Sequence, residues 1–269
     1  MKFRLWSDVH LEFGPLSLKE TDDDKNVRLF IAGDLDTGCQ DRAKDLMLQA
    51  SNRFKSVFYT PGNHEYYHNC VQTVDSDWAA FAVELKNFYF LQGDCVIDDD
   101  VRVIGGTFWT NFNSEAHLAM RVAGDRMNDY RQIRWNDRPS ERLNRDEMRR
   151  FRPEDAVAIN KEQRRKFAEF LDVPFAGKTV IMTHHAPTEH SIDPLYNHHS
   201  SDRILNYAYR NTGLDSWFEE KNFDAWLHGH IHRRQEHVVH GKRIIANPRG
   251  YWDYEAMADT FEDDKVFEL

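Results

Sequence analysis

Short apolar runs recur along the chain, and polar clusters close them. Residues 2–6 (KFRLW), 27–32 (VRLFIA) and 56–60 (SVFYT) are too short for helices, and the third is stopped by Pro61-Gly62, so all three read as strands. Residues 179–183 (TVIMT) and 225–227 (AWL) repeat the pattern. Between these runs the period changes. Ala43, Leu46, Met47, Ala50 and Phe54 share one face of a helix over 42–54, and 74–85 is a second helix candidate. Two hairpins are expected, 95–104 (CVIDDDVRVI) turning at its aspartates and 237–246 (HVVHGKRIIA) turning at His240-Gly241. Strands alternating with helices predict an α/β core.

Residues 113–172 break this rhythm. They are helical in composition and dense in both charges, with 14 Lys+Arg and 12 Asp+Glu against a net −12 for the rest of the chain. A solvated helical pair is the first expectation for such a stretch. The alternative is a cap that places Arg121, Arg126, Asn128 or Tyr130 over an active site.

The residues that follow the strand runs share a chemistry. Asp8-Val9-His10 follows the first, Gly33-Asp34 the second and Gly62-Asn63-His64-Glu65 the third; His184-His185 and His228-Gly229-His230-Ile231-His232 follow the last two. Ligands gather at the carboxyl ends of strands in an open α/β sheet. Five such ends that each deliver Asp, Asn or His point to metal binding rather than to solvated turns. Imidazole nitrogens with carboxylate and amide oxygens suit manganese, iron or zinc.

Composition narrows the setting. The 269 residues carry a formal net charge of −10, which argues against gripping extended nucleic acid by charge; a nucleotide or short oligonucleotide stays open, because bound cations supply local positive charge. Cys39, Cys70 and Cys95 are odd in number and lack CxxC spacing, so a reducing, cytoplasmic setting is expected. No leader-like or membrane-spanning run is evident.

The ordered set D-x-H, G-D, G-N-H-E, strand-end His and G-H-x-H, spanning residues 8 to 232, resembles the calcineurin-like metallophosphoesterase superfamily. The resemblance implies a single domain over 1–269. Its fold would be two mixed β-sheets packed face to face with flanking helices, to which the composition of the chain adds a helical insert or cap at about 113–172. It implies two divalent ions, manganese foremost: Asp8, His10 and His232 on one, Asn63, His184 and His230 on the other, Asp34 between them. A hydroxide shared by the ions would attack phosphorus in line, and His64 would protonate the leaving group.

Neighbouring residues have competing readings. His185 is either a support for His184 or a substrate contact, alongside Asn63 and His64. Arg249 either reaches phosphate or sits beside a turn. His228, His237 and His240 read as structural, His198 and His199 as loop histidines, Asp36 as a turn residue, and Trp109 as core or cleft wall. The Ser/Thr phosphatases of the superfamily carry arginines beside G-D and G-N-H-E, and this chain has Thr37 and Pro61 there. The sparse cations favour a phosphodiesterase acting on a small phosphoester or nucleotide. A phosphomonoesterase, a nucleotide pyrophosphatase and a non-catalytic metal-binding scaffold are the alternatives. The oligomeric state is left open.

Overall fold

A computed structural model describes residues 1–139, 141, 143–197 and 199–269, so His198 lies outside the described residues. Two sheets carry the fold. The first has the order β13-β1-β2-β3-β4, formed by Phe267–Glu268, Lys2–Trp6, Arg28–Ala32, Ser56–Thr60 and Phe88–Phe90. The second has the order β11-β12-β10-β9-β6-β5, formed by Gln235–Val239, Lys242–Ala246, Ala225–Leu227, Lys178–Thr183, Val101–Gly106 and Asp94–Asp98. The central strands of both run parallel, while β13, β11 and β5 are antiparallel edges. The sheets are therefore mixed.

Burial on both faces explains why the central strands are largely apolar instead of alternating. Phe3, Leu5, Phe30, Ala32 and Phe58 face Val103, Val180, Met182, Leu227 and Ile245 in the layer between the sheets. The intervening residues Leu29, Ile31, Val57 and Tyr59 pack on the other face, under α1 (Asp41–Arg53) and α2 (Val71–Val83). Ile104, Ile181, Trp226 and Ile244 likewise meet Phe167, Leu171 and Phe218 on the outside of the second sheet.

The hairpins turn where expected, at Asp99-Asp100 and His240-Gly241. The 113–172 stretch is mostly helical and divides among several elements. A left-handed turn, α3 (Phe112–Glu115), leads into α4 (His117–Arg126) and α5 (Asp129–Gln132). A two-stranded ribbon follows, β7 (Arg134–Trp135) with β8 (Arg149–Arg150). The long α6 (Pro153–Asp172) is part of the helical layer: its Phe167 stacks on Phe108 at 5.1 Å beside the second sheet. Among the described residues of this stretch, those at the turn from α4 into α5, Arg126, Met127 and Asn128, line the cleft described below. Two short helices, α7 (Ser200–Leu205) and α8 (Asp215–Glu220), complete the set.

Candidate active site

The carboxyl ends of β1, β2, β3, β9 and β10 converge, and each brings its polar turn. One ligand atom each from Asp8, His10 and His232 lies within 4.8 Å of the others. The same holds for Asp34, His184 and His230, and for His10, Asp34 and His64. Asp34 thus belongs to the groups on both sides. Its Oδ2 is 3.7 Å from His10 Nε2 and 3.3 Å from His184 Nε2. Asn63 joins through its Oδ1, 3.0 Å from His184 Nε2.

The tautomers follow from the partners. A carboxylate or carbonyl oxygen only accepts, so a ring nitrogen facing one carries the proton. His10 Nδ1 donates to Glu12 at 2.9 Å, His232 Nδ1 to Glu255 at 2.8 Å, and His184 Nδ1 to the Ala32 carbonyl at 2.9 Å. The three Nε2 atoms are thereby aimed inward. His10 Nε2 and His232 Nε2 face each other at 3.1 Å, and His184 Nε2 faces the Asn63 oxygen. Lone pairs at that separation repel unless a proton or a cation lies beside them. Asp8 Oδ2 and His230 Nε2 are buried with no hydrogen-bond partner among the described residues. Such orphaned donor atoms suit divalent ions, and the carboxylate or carbonyl behind each of these three imidazoles is the usual support for a ligating histidine.

Electrostatics agree. Burial opposes charge on His232, but hydrogen bonds to Asp8 and Glu255 outweigh it and lift its pKa to about 10. His184 rises to about 9 against its own burial, through Asp34 and then Asp8. Burial also works against Asp34, yet His184, His64 and His10 hold its carboxyl well below the usual range. Negative potential is therefore concentrated where cations would sit.

The backbone is adapted to this convergence. Asp8, His10, Asp34, His230 and His232 all have φ between +47° and +68°, a left-handed conformation that costs non-glycine residues roughly 1–2 kcal/mol each. Each turns its side chain sharply back across the strand end. Gly62 and Gly33 allow the loops to pass: a Cβ on Gly62 would come within 2.1 Å of Asp34 Oδ1, and one on Gly33 within 2.4 Å of His184 Nδ1. Glu65 ties these loops together. It accepts from the backbone N–H of Gly62 (2.7 Å), Asp34 (3.1 Å) and Leu35 (2.6 Å) and from the Tyr59 hydroxyl (2.8 Å).

A cleft of about 520 Å³ opens over the cluster. Asp34, Asn63, His64, His230 and His232 form its floor; Tyr67, Tyr209 and Tyr251 stand on its walls. His64 Nδ1 donates to Glu12 at 2.8 Å, and its Nε2 lies 3.3 Å from the Tyr251 hydroxyl. Burial lowers the pKa of His64, but Asp34 and Glu12 more than offset it, so the ring holds a proton more readily than a free imidazole.

Other expectations are corrected. Arg249 does not reach the cleft: its guanidinium donates to the carbonyls of Val9, Gly14 and Pro15, each at 2.9 Å, and braces the loop after β1. His185 is no substrate contact either. It is 1% exposed, packed between Trp109 at 5.0 Å and His230 at 4.2 Å, and burial drives its pKa down to about 3. Of the four cap candidates, Arg126 and Asn128 line the cleft, Tyr130 is buried core and Arg121 is exposed elsewhere. Asp36 is a buried partner of Arg42, Trp109 is core, and His228 holds Ser191.

The motifs did not disclose Glu12, Asp129, Tyr251 or Glu255. Asp129, on α5, is buried and accepts from Asn63 Nδ2 (2.9 Å) and the Tyr67 hydroxyl (2.7 Å), which turns the Asn63 oxygen toward His184.

Comparison with known proteins fits this geometry. The calcineurin-like phosphoesterase family model matches residues 1–234. An uncharacterised protein of Acanthamoeba polyphaga mimivirus, L509, is 25% identical over 273 residues, covering 92% of this chain and 90% of its own. Among solved structures, the phosphopantetheinyl hydrolase of Mycobacterium tuberculosis superposes with a TM-score of 0.67 at 16% identity, over 93% of this chain and 89% of its own.

Proposed function

Because the chain belongs to the calcineurin-like phosphoesterase family, whose members hydrolyse phosphoesters with divalent metals, we propose that it is a binuclear phosphodiesterase. One observation carries the reading. Two facing ligand sets share Asp34, and His64 stands beside them over a cleft whose described lining holds one arginine, Arg126, and no lysine. Asp8, His10 and His232 would hold one ion, Asn63, His184 and His230 the other, with Asp34 common to both. Ions there lower the pKa of water to give a nucleophile and polarise the phosphoryl oxygen.

The chain's own residues do the rest. The floor of the cleft fixes the phosphoryl group against His64, and His64 Nε2 delivers a proton to the departing oxygen. A diester brings one negative charge and needs fewer cations than a dianionic monoester, which suits a lining whose one arginine or lysine is Arg126. The tyrosines offer apolar faces and hydroxyls to an organic ester group. Manganese is the first ion to try, and a small phosphoester, nucleotide or short oligonucleotide the substrate class. We take residues 1–269 as one catalytic domain. Cys39, Cys70 and Cys95 are free thiols, which fits a reducing compartment, and no described helix is long and apolar enough to cross a membrane.

The test is hydrolysis of bis-(p-nitrophenyl) phosphate against p-nitrophenyl phosphate by metal-stripped protein given manganese, with Asp34→Asn as control. Manganese-dependent turnover favouring the diester, lost in Asp34→Asn, is expected. Preference for the monoester would overturn the substrate class, and full activity in Asp34→Asn would overturn the shared ligand.

A further inference from the structure

Glu12 lies two residues beyond His10, in a tight turn closed by the Phe13 N–H on the His10 carbonyl at 3.0 Å. The turn folds its side chain back over the site. A single oxygen, Glu12 Oε1, accepts from His10 Nδ1 at 2.9 Å and from His64 Nδ1 at 2.8 Å. These imidazoles come from the ends of different strands, yet their rings are 4.4 Å apart. The geometry points to Glu12 as a shared positioning residue: one carboxylate oxygen aims the metal-binding edge of His10 and the proton-donating edge of His64 together. This rests on the proposed phosphodiesterase reading.

An imidazole can carry its proton on either nitrogen, and a ring flip puts Cδ2 where Nδ1 stood and Cε1 where Nε2 stood. Packing alone does not choose. Phe13 at 5.9 Å from the His10 ring and Tyr67 at 4.2 Å from the His64 ring restrict tilt, but a flipped ring occupies nearly the same volume. The Nδ1–H bond to Glu12 selects the orientation and the tautomer in both cases. It leaves His10 Nε2 facing Asp34 and His232, and His64 Nε2 facing the cleft beside Tyr251. The second oxygen, Oε2, is buried with no hydrogen-bond partner among the described residues, so both donors depend on Oε1. Metal retention on the His10 side and protonation of the leaving group are thereby tied to one atom. Neither function could be tuned by moving Glu12 without disturbing the other.

The experiment compares Glu12→Ala and Glu12→Gln with the full-length wild type. Manganese binding is counted by equilibrium dialysis, and turnover is measured on methyl aryl phosphodiesters of graded leaving-group pKa. Glu12→Ala should weaken one of two manganese ions by roughly 10- to 100-fold. At saturating manganese it should also lose kcat, increasingly so as the leaving group becomes poorer, with KM little changed. Glu12→Gln retains an oxygen that accepts both Nδ1–H groups and should recover most of both losses. In a His64→Ala background, Glu12→Ala should no longer steepen the leaving-group dependence. Wild-type manganese affinity in Glu12→Ala would overturn the proposal, as would an unchanged leaving-group slope or a folded Glu12→Gln no better than Glu12→Ala. If the wild type itself turns over no diester, the phosphodiesterase reading fails, and dialysis alone still decides whether Glu12 positions His10.

Discussion

The orientation of Asn63 can be tested through a residue that would touch neither ion. A side-chain amide binds a cation only through its oxygen, and a flipped amide would present an NH2 group instead. Asp129 accepts from Asn63 Nδ2 at 2.9 Å, with the Tyr67 hydroxyl as second acceptor at 3.1 Å. A hydrogen bond to a charged group contributes about 1.5–3 kcal/mol. Asp129→Ala removes that bond and also the acceptor of the Tyr67 hydroxyl. At about 1.4 kcal/mol per tenfold, the correctly aimed amide should fall in relative population by roughly 10- to 150-fold. Loss of a group supporting a metal ligand generally costs about 10- to 100-fold in affinity, so two routes give the same range. Manganese isotherms by equilibrium dialysis are the assay, with circular dichroism to confirm folding. One ion should weaken by that factor while the other changes little. Asp129→Asn keeps an acceptor oxygen and should lie between. Two ions bound with wild-type affinity in folded Asp129→Ala would refute the reasoning, since another contact would then be orienting Asn63.

Three further outcomes follow from the site. His64→Ala should keep both ions yet lose roughly 10²- to 10⁴-fold in kcat, more for alkyl than for p-nitrophenyl leaving groups; an equal loss for both would contradict a proton-donor role. With pKa values of about 9 for His184 and 10 for His232, metal-stripped protein at pH 7 holds both imidazoles protonated. Ion binding must displace those protons, so manganese affinity should rise from pH 6 to pH 9 with protons released to buffer; calorimetry in buffers of different ionisation enthalpy checks this, and a flat profile would exclude histidine ligation. Arg249→Met leaves the carbonyls of Val9, Gly14 and Pro15 without their donor and should cost about 2–3 kcal/mol, lowering Tm by about 5–10 °C while two ions still bind; an unchanged Tm with lost turnover would restore it to the active site.

The sequence pattern disclosed the scaffold where both faces of a strand are buried. Runs such as LFIA at 29–32 and VIM at 180–182 do not alternate with polar residues because one face meets the opposite sheet and the other a helix layer. β4 and β13 were not legible, since they are three and two residues long and carry no pattern of their own. The stretch 113–172 reads as a solvated helical pair or a cap because both charges are dense along it, whereas its residues divide between cleft rim, ribbon and helical layer. The ligands were legible because each follows a strand. Their supports were not: Glu255 meets His232 across 23 residues, and Asp129 meets Asn63 across 66. No local spacing encodes such pairs. Arg249 misled because an arginine after a strand looks the same in sequence whether it meets phosphate or carbonyls.

The two sheets meet almost wholly through apolar side chains, but the ligand set does not respect that division. Asp8, His10, Asp34 and Asn63 follow strands of the first sheet; His184, His230 and His232 follow strands of the second. Each proposed ion would therefore draw on both layers and act as a clasp between them. Asp8 and His232 stand roughly 220 residues apart, so an ion held by both would bind only the folded chain and add its binding free energy to the stability of the fold. Stripping the ions would lower the stability of the sandwich as a whole, whose shared apolar core still holds the layers together, so metal supply would govern how stably this protein folds as well as whether it turns over substrate.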